Sequence, residues 1–146
     1  MPPQTEQKVV TTVFYFGGSD CAYCMQRENI ENINKMRADL PVQKKGLSFK
    51  FVLVVMDKDL KQGMEYAKKY PRRDEISIGK FYDNELMLQH VNKTELPGVP
   101  HIMVYRDSLT IGKFNVPTIA DRTLLVNVVG EKAIDTWIRN GYQLAK

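Results

Sequence analysis

Residues 9–24 read VVTTVFYFGGSDCAYC and contain both cysteines of the chain. The β-branched and aromatic residues 9–16 predict a strand, residues 17–19 predict a turn, and a helical pattern begins after Cys21. The free N–H groups at the start of a helix and its macrodipole favour a thiolate over a thiol. Two cysteines on one helical turn can also form a disulfide with each other. The stretch therefore predicts thiol–disulfide chemistry at Cys21 and Cys24.

The composition is that of an ordinary globular protein of 146 residues with a formal net charge of +4. Lysine and arginine doublets are scattered and have acidic neighbours, so we expect no nucleic-acid partner. No apolar run approaches the roughly 18 residues that a membrane-spanning helix requires, so we expect no membrane span. The length suits one core. We expect residues 1–8 to form a flexible N-terminal segment and residues 9–146 to form a single domain that is a monomer.

The polar N-terminus gives an expectation about location. Residues 1–8 contain no apolar region of the kind found in a signal peptide. At face value this predicts a cytoplasmic protein. If a signal peptide has been removed from the chain, the same sequence is compatible with the periplasm.

Apolar spacing predicts the elements that follow the cysteines. Apolar residues at spacings of three and four predict a helix over residues 22–40, with a buried face formed by Ile30, Ile33, Met36 and Leu40. Ser19 or Asp20 can cap the start of this helix, and Pro41 is expected to end it. The alternating and then continuous apolar run of residues 47–56 predicts a strand that is half-exposed at one end and buried at the other.

The rest of the chain predicts a further helix, an insert, a hairpin and a final helix. In chain order we expect a helix over 60–70, a short strand over 76–81, a short helix over 84–91, and strands over 101–105 and 109–114. The polar triplet 106–108 predicts the turn of the hairpin. Residues 115–130 are compatible with a strand or a helix. The last helix is predicted by one apolar face, formed by Ala133, Ile134, Trp137, Ile138 and Gly141. This order predicts an α/β fold in which a mixed central sheet carries helices on both faces.

From about residue 9 to residue 141 the chain resembles the thioredoxin superfamily. The first shared motif is the strand, turn, Cys21-x-x-Cys24 and helix. The second is Gly98-Val99-Pro100 before a buried strand, where the family places a cis-proline that faces the two cysteines. Residues 56–114 are similar to the branch of membrane-anchored cytochrome-maturation reductases and their peroxiredoxin relatives, and the Gly-Val-Pro is also similar to that of periplasmic disulfide oxidases and isomerases. The resemblance implies a thioredoxin-like fold with an insert before the cis-proline.

The sequence also departs from thioredoxins proper. Asp20 stands where they carry Trp, and Ala22-Tyr23 replaces their Gly-Pro. Their buried carboxylate, six residues before the first cysteine, aligns with Tyr15, so the first strand supplies no carboxylate base. These differences leave the redox direction open. We expect the cysteine couple to be more oxidising than that of thioredoxin, which has a reduction potential of about −270 mV.

The resemblance implies a role for each residue of the site. Cys21 is the outer cysteine and attacks a substrate disulfide, and Cys24 resolves the mixed disulfide. Val99 and Pro100 form the opposite side of the site, where the extended backbone of Val99 can pair with a substrate peptide. We expect Tyr23 to contact substrate and no cofactor to be needed. The implied partners are proteins or peptides with thiols or disulfides, together with an unidentified redox partner.

Other interpretations remain open for the same residues. The two cysteines could be buried structural thiols, or could bind zinc with His90 and His101, although that spacing fits no closed zinc module, so we expect no metal. His101 follows the proline and could relay a proton near the cysteines, or could simply be a residue of the strand. Two functions are therefore compared: a thiol–disulfide oxidoreductase acting on protein disulfides, and a redox-inert thioredoxin-like module that binds a partner through Val99-Pro100.

Overall fold

The computed structural model describes residues 6–80 and 83–145. Its five strands are β1 (Glu6–Gly17), β2 (Phe49–Val55), β3 (Glu75–Ile78), β4 (His101–Ile111) and β5 (Pro117–Val129). Its four helices are α1 (Arg27–Gln43), α2 (Leu60–Ala67), α3 (Glu85–Gln89) and α4 (Glu131–Arg139). The strands form one sheet in the order β3-β2-β1-β4-β5. β2 is parallel to β1 and to β3, whereas β4 is antiparallel to β1 and to β5, so the predicted mixed sheet is confirmed.

Strand β1 lies at the centre of the sheet and sends side chains into two cores. Val13 and Tyr15 pack in the larger core, to which α1, α2 and α4 contribute. Phe14 and Phe16 pack in the smaller core on the opposite face, with Met87 of α3. Because successive residues of a strand point to opposite faces, both sets are buried, and this explains the continuous apolar run in the sequence.

One edge of the sheet collects the segments that matter for function. β1 and β2 run in parallel, and their last residues, Gly17 and Val55, are paired in register. β4 runs in the opposite direction and begins at the same edge, where His101 pairs with Phe16. The turn after β1, the turn after β2 and the loop before β4 therefore meet at this edge.

The first strand is longer than predicted. β1 begins at Glu6 instead of residue 9, so residues 6–8, expected in a flexible segment, belong to the strand. They pair with residues 109–111 of β4, which supplies the hydrogen bonds that extend the strand. The remaining residues of the predicted segment, 1–5, lie outside the described part of the chain.

The predicted hairpin turn at residues 106–108 is wrong. β4 continues unbroken to Ile111, and the chain reverses over residues 112–116 instead. Asp107 is buried in the middle of the strand, where Thr12 Oγ1 donates to its carboxylate at 2.6 Å. Arg122 of β5 donates to the same carboxylate at 2.6 and 2.7 Å. A carboxylate, which usually signals a turn, can therefore lie in a strand because a cation and a hydroxyl satisfy it.

The first helix also differs from its prediction at both ends. α1 begins at Arg27 instead of residue 22, and Gln26 occupies its N-cap position, so neither Ser19 nor Asp20 caps it. It continues through Pro41 to Gln43. Proline in the last turn of a helix removes only one backbone hydrogen bond, and the packing of the preceding turns compensates for it.

The other elements are close to prediction. α3 is shorter than residues 84–91, and Asn84 caps it by accepting from Leu86 N at 3.1 Å and Met87 N at 3.3 Å. β3 ends at Ile78, and Phe81, part of the predicted strand, lies outside the described residues. The ambiguous residues 115–130 contain β5. The final helix is confirmed, with Ile134, Trp137 and Ile138 buried.

Candidate functional site

Two glycines bring the backbone after β1 close to its neighbours. A Cβ atom at Gly17 would lie 2.6 Å from the hydroxyl oxygen of Tyr66, and one at Gly18 would lie 2.9 Å from Asp57 Oδ1. Both distances are shorter than real Cβ contacts, so any larger residue would push the loop away from the core. The glycine pair thus sets the position from which the chain enters the cysteine turn.

Asp57 holds this loop from the end of β2. Its carboxylate is buried and accepts hydrogen bonds from Ser19 N at 2.9 Å and from Ser19 Oγ. This role of Asp57 was not predicted from the sequence. The sequence feature that indicates this role is the position of Asp57 directly after β2. Because β2 is parallel to β1, the two strands end at the same edge of the sheet.

Cys21 and Cys24 form a disulfide, with their Cα atoms 5.1 Å apart. They lie on a separate helical turn before α1, closed by Met25 N donating to Cys21 O at 3.1 Å, and not in the first turn of α1 as predicted. Cys24 is completely buried, Cys21 is half-buried, and Tyr23 between them is 54% exposed. The two sulfurs thus differ in access: the first faces the surface and the second faces the core.

The electrostatic support for a thiolate is local. Because α1 begins at Arg27, the macrodipole of that helix does not start at the cysteines. The N–H of Cys24 instead donates to Cys21 Sγ at 3.1 Å. A hydrogen bond to the charged form of a group favours that form. The N–H of Cys24 is therefore placed to stabilise a thiolate on Cys21, whereas Asp20 is exposed and water screens its charge.

The loop before β4 forms the opposite side of the site. The Val99–Pro100 peptide bond is cis, as predicted. Cys21 Sγ lies 3.6 Å from the carbonyl oxygen of Val99, so the predicted proximity of the two motifs is also confirmed. Gly130 N donates to Pro100 O at 2.8 Å and fixes the loop to the end of β5. Val99 is half-buried and lies outside the strands.

His101 supports the same loop. Its side chain is fully buried, its Nδ1 bonds to the carbonyl oxygen of Gly98 at 3.1 Å, and its Nε2 bonds to Asn127 Oδ1. Both ring nitrogens are thus engaged by the loop and by β5. The role of His101 as a proton relay stays a prediction, and its observed contacts show that it orders the backbone around Val99.

The structure does not assemble the alternative zinc site. His90 bonds to the hydroxyl of Tyr105 at 2.8 Å and packs on Phe14, in the core on the opposite face from Cys24. Among residues 6–80 and 83–145, no group of three or more histidine, cysteine or acidic side chains is arranged to hold a metal ion.

Beneath the cysteines, Tyr15 stands at the position that aligns with the buried carboxylate of thioredoxins. Tyr15 bonds through its hydroxyl to Tyr66 at 2.9 Å and to Asn29 Nδ2 at 3.0 Å. Asn29 Nδ2 also lies 3.4 Å from the carbonyl oxygen of Cys24. Tyr15 was expected at this place from the sequence, but Asn29 was not. Asn29 lies four residues before Ile33 and so continues the buried spacing of α1 toward its start.

Comparison with known proteins bears on the fold. No protein-family model and no curated protein matches the sequence. Tryparedoxin I from Leishmania major matches with a TM-score of 0.56 and 16% identity, over 90% of this chain and 74% of that one. A putative thiol:disulfide interchange protein DsbE from Chlorobium tepidum matches with a TM-score of 0.51 and 16% identity, over 92% and 81%. A DsbF homologue from Corynebacterium diphtheriae matches with a TM-score of 0.50 and 15% identity, over 90% and 71%.

Within the described residues, no helix has both the length and the apolar character needed to cross a membrane.

The similar structures share 15–16% of their residues with this chain, so the likeness concerns the backbone arrangement. Together with the mixed sheet, the Cys21–Cys24 pair and the cis-proline, it shows that this chain has the thioredoxin-like fold.

Proposed function

We propose that this protein is a thiol–disulfide oxidoreductase that acts on protein disulfides through Cys21 and Cys24. The observation that carries the proposal is the contrast between the two sulfurs. Cys21 is accessible and faces Val99 O at 3.6 Å, whereas Cys24 is completely buried within reach of it. A pair of structural thiols would gain nothing from one member at the surface beside a cis-proline loop.

The reaction follows from these positions. In the reduced protein the Cys21 thiolate attacks one sulfur of a substrate disulfide, a bond forms between Cys21 and that sulfur, and the other substrate sulfur leaves as a thiolate that takes up a proton. Cys24 then loses its proton and attacks Cys21 Sγ. This closes the Cys21–Cys24 disulfide and releases the second substrate thiol. The substrate gains two electrons and the cysteine pair loses them, and the reverse sequence oxidises a dithiol.

Substrate contacts are proposed on both sides of Cys21. The extended backbone of Val99, fixed through Pro100 and its neighbours, pairs with a substrate segment beside the reacting sulfur. The exposed ring of Tyr23 adds apolar contact on the cysteine turn. The protein would act as a monomer on protein or peptide partners. It would need no cofactor, because the cysteine pair carries both electrons. A second redox protein would return the pair to its starting state.

Trapping of mixed disulfides tests the proposal. In a Cys24→Ser variant the resolving thiol is absent, so we expect Cys21 to remain joined to a model protein disulfide such as insulin, visible as an adduct by mass spectrometry. The matched Cys21→Ser variant keeps a single thiol of the same pair and should form no adduct. Equal adduct formation by the two variants, or none by either together with no insulin reduction by the natural protein, would favour the redox-inert binding module.

A further inference from the structure

The half of the sheet that lies away from the cysteines has a cavity on the face of the smaller core. Near the cysteines this face is covered, and Phe14 and Phe16 are buried against Met87 of α3. Further along the same strands lies a cavity of about 420 Å³. It is lined by Ser48 and by residues of β1, β2, β4 and β5, and no helix of the described chain contributes to it. The sheet itself therefore forms the floor of the cavity.

Apolar side chains form part of this floor. Leu109 of β4 is paired with Ile119 of β5, and Val10 lies on the neighbouring strand β1. All three line the cavity and are called here the apolar patch. Ile119 is 50% exposed, and the other two are half-buried. Covering these side chains removes apolar surface from water, so the patch favours a ligand with an apolar part.

The charged side chains of the cavity are mostly cationic. Lys8, Lys50, Arg122 and Asp107 line it, which leaves an excess of two positive charges. Asp107 is already neutralised, because Arg122 donates to both of its oxygens at 2.6 and 2.7 Å. Lys50 also bonds to Glu75 at 3.0 Å, but both side chains are nearly half-exposed, so water weakens this pair. The cavity therefore favours an anion.

Arg122 has donors left for such an anion. Its Nε and Nη2 atoms donate to Asp107, and within the described residues its Nη1 bonds to no acceptor. A guanidinium has five N–H groups, so several of them are not used by Asp107. The group is held in place over the rings of Tyr105 and Phe14, 5.0 and 5.6 Å from their centroids. A guanidinium held in this way suits a carboxylate, which can accept two parallel hydrogen bonds from it.

We propose that this cavity binds a small amphipathic anion, a carboxylate on an aliphatic chain. Arg122, Lys8 and Lys50 hold the carboxylate, and the chain lies on the apolar patch. The cavity volume falls in the range of small-molecule sites, about 300–1,000 Å³. A peptide strand fits less well, because strand addition needs a free sheet edge and β1 and β4 are paired on both sides. The inference is independent of the redox activity of the cysteines.

Calorimetric titration of the full chain with decanoate tests the need for negative charge. We expect decanoate to bind saturably and decyltrimethylammonium, which has the same chain and the opposite charge, not to bind. Lys8→Gln should weaken decanoate binding about tenfold, since a charged hydrogen bond is lost. The matched control is Lys61→Gln, because Lys61 is also exposed but does not line the cavity. Absence of decanoate binding, equal binding of the two amphiphiles, or equal weakening by the two lysine variants would overturn the proposal.

Two glutamate variants test the position of the site. Ile119→Glu places a carboxylate in the cavity, whereas Val9→Glu places one on the opposite face of the sheet, where Val9 is 52% exposed. We expect Ile119→Glu to abolish decanoate binding and Val9→Glu to leave it unchanged. Equal effects of the two variants would contradict the assignment. If Ile119→Glu does not fold, Lys8→Gln still decides. A dimer of the natural protein in sedimentation, separated by Ile119→Glu, would assign this face to a second copy of the chain and overturn the proposal.

Discussion

The two faces of the sheet carry buried polar clusters of opposite character. The hydroxyl cluster, beneath the cysteines, has only neutral members: Tyr15, Tyr66, Tyr70 and Asn29. The charged cluster, on the other face, consists of Thr12, His90, Tyr105, Asp107 and Arg122. Both clusters begin on β1, which sends Tyr15 to one face and Thr12 to the other. The same strand thus supports a neutral network on one side and an ion pair on the other.

The difference matters because only the hydroxyl cluster lies beneath the cysteines. A buried carboxylate is tolerated when a cation pairs with it, as Arg122 does with Asp107. Burial alone would raise the pKa of Asp107, but hydrogen bonds from Arg122 and Thr12 outweigh it and lower the pKa below its usual value. A carboxylate beneath Cys24 would repel a thiolate and raise the pKa of the thiol. A neutral cluster leaves the cysteines free of that repulsion.

The largest effect on stability is expected from breaking the charged cluster. Asp107→Ala removes the partner of Arg122 and the acceptor of Thr12, and leaves a partly buried guanidinium without its counter-charge. We expect a loss of about 2 kcal/mol in the free energy of unfolding, measured by urea denaturation. The equilibrium of the cysteine pair with a glutathione buffer, called here the glutathione equilibrium, should not change. If it does change, the two faces are coupled and the comparison fails.

A smaller loss is expected from opening the hydroxyl cluster. Tyr66→Phe removes the hydroxyl that bonds to Tyr15 at 2.9 Å and to Tyr70 at 2.8 Å, so each of these tyrosines loses one buried hydrogen bond. We expect the free energy of unfolding to fall by about 1 kcal/mol. Tyr142→Phe is the matched control, because its buried hydroxyl bonds to Asp39 and not to the hydroxyl cluster. Both variants should lose stability, but only Tyr66→Phe should alter the glutathione equilibrium; a shift in Tyr142→Phe would show that general loosening is the cause.

The two clusters should limit stability at opposite ends of the pH scale. Burial, with the nearby Arg122 and Lys93, lowers the pKa of His90 to about 4. The unfolded chain therefore binds a proton near pH 6.5 that the folded protein does not, and stability falls as the pH drops toward 4. Burial raises the pKa of Tyr15, Tyr66 and Tyr70 above the ordinary value of 10.0. These raised pKa values act in reverse, since the unfolded chain loses protons above about pH 10 that the folded protein keeps.

Urea denaturation across pH measures this smallest effect. Between pH 7 and pH 6 we expect the natural protein to lose roughly 0.5 kcal/mol, and His90→Phe to lose less. Above pH 10 the two should lose stability in parallel, because both retain the hydroxyl cluster. An equal acid dependence in the two proteins would mean that burial does not lower the pKa of His90.

Local signals predicted the cysteine pair after β1, and the resemblance to the thioredoxin superfamily predicted the cis-proline, because each motif lies within a few residues of sequence. The clusters depend on distant pairs and could not be predicted this way. Asp107 was assigned to a turn since its partner Thr12 is 95 residues away in sequence. Tyr66 meets Tyr15 across 51 residues, and only the packing of α2 on the sheet brings them together. The start of α1 was misplaced because the cysteine turn imitates the first turn of a helix.

The central claim is that Cys21 and Cys24 have distinct roles set by their surroundings. Alkylation of the reduced protein with iodoacetamide at several pH values, read at each cysteine by mass spectrometry, tests it most directly. We expect Cys21 to react first, with an apparent pKa below the value of about 8.5 for a free cysteine, because it is accessible and accepts from the N–H of Cys24. Cys24 should react slowly at every pH. Faster modification of Cys24, or equal rates at both sites, would contradict the account.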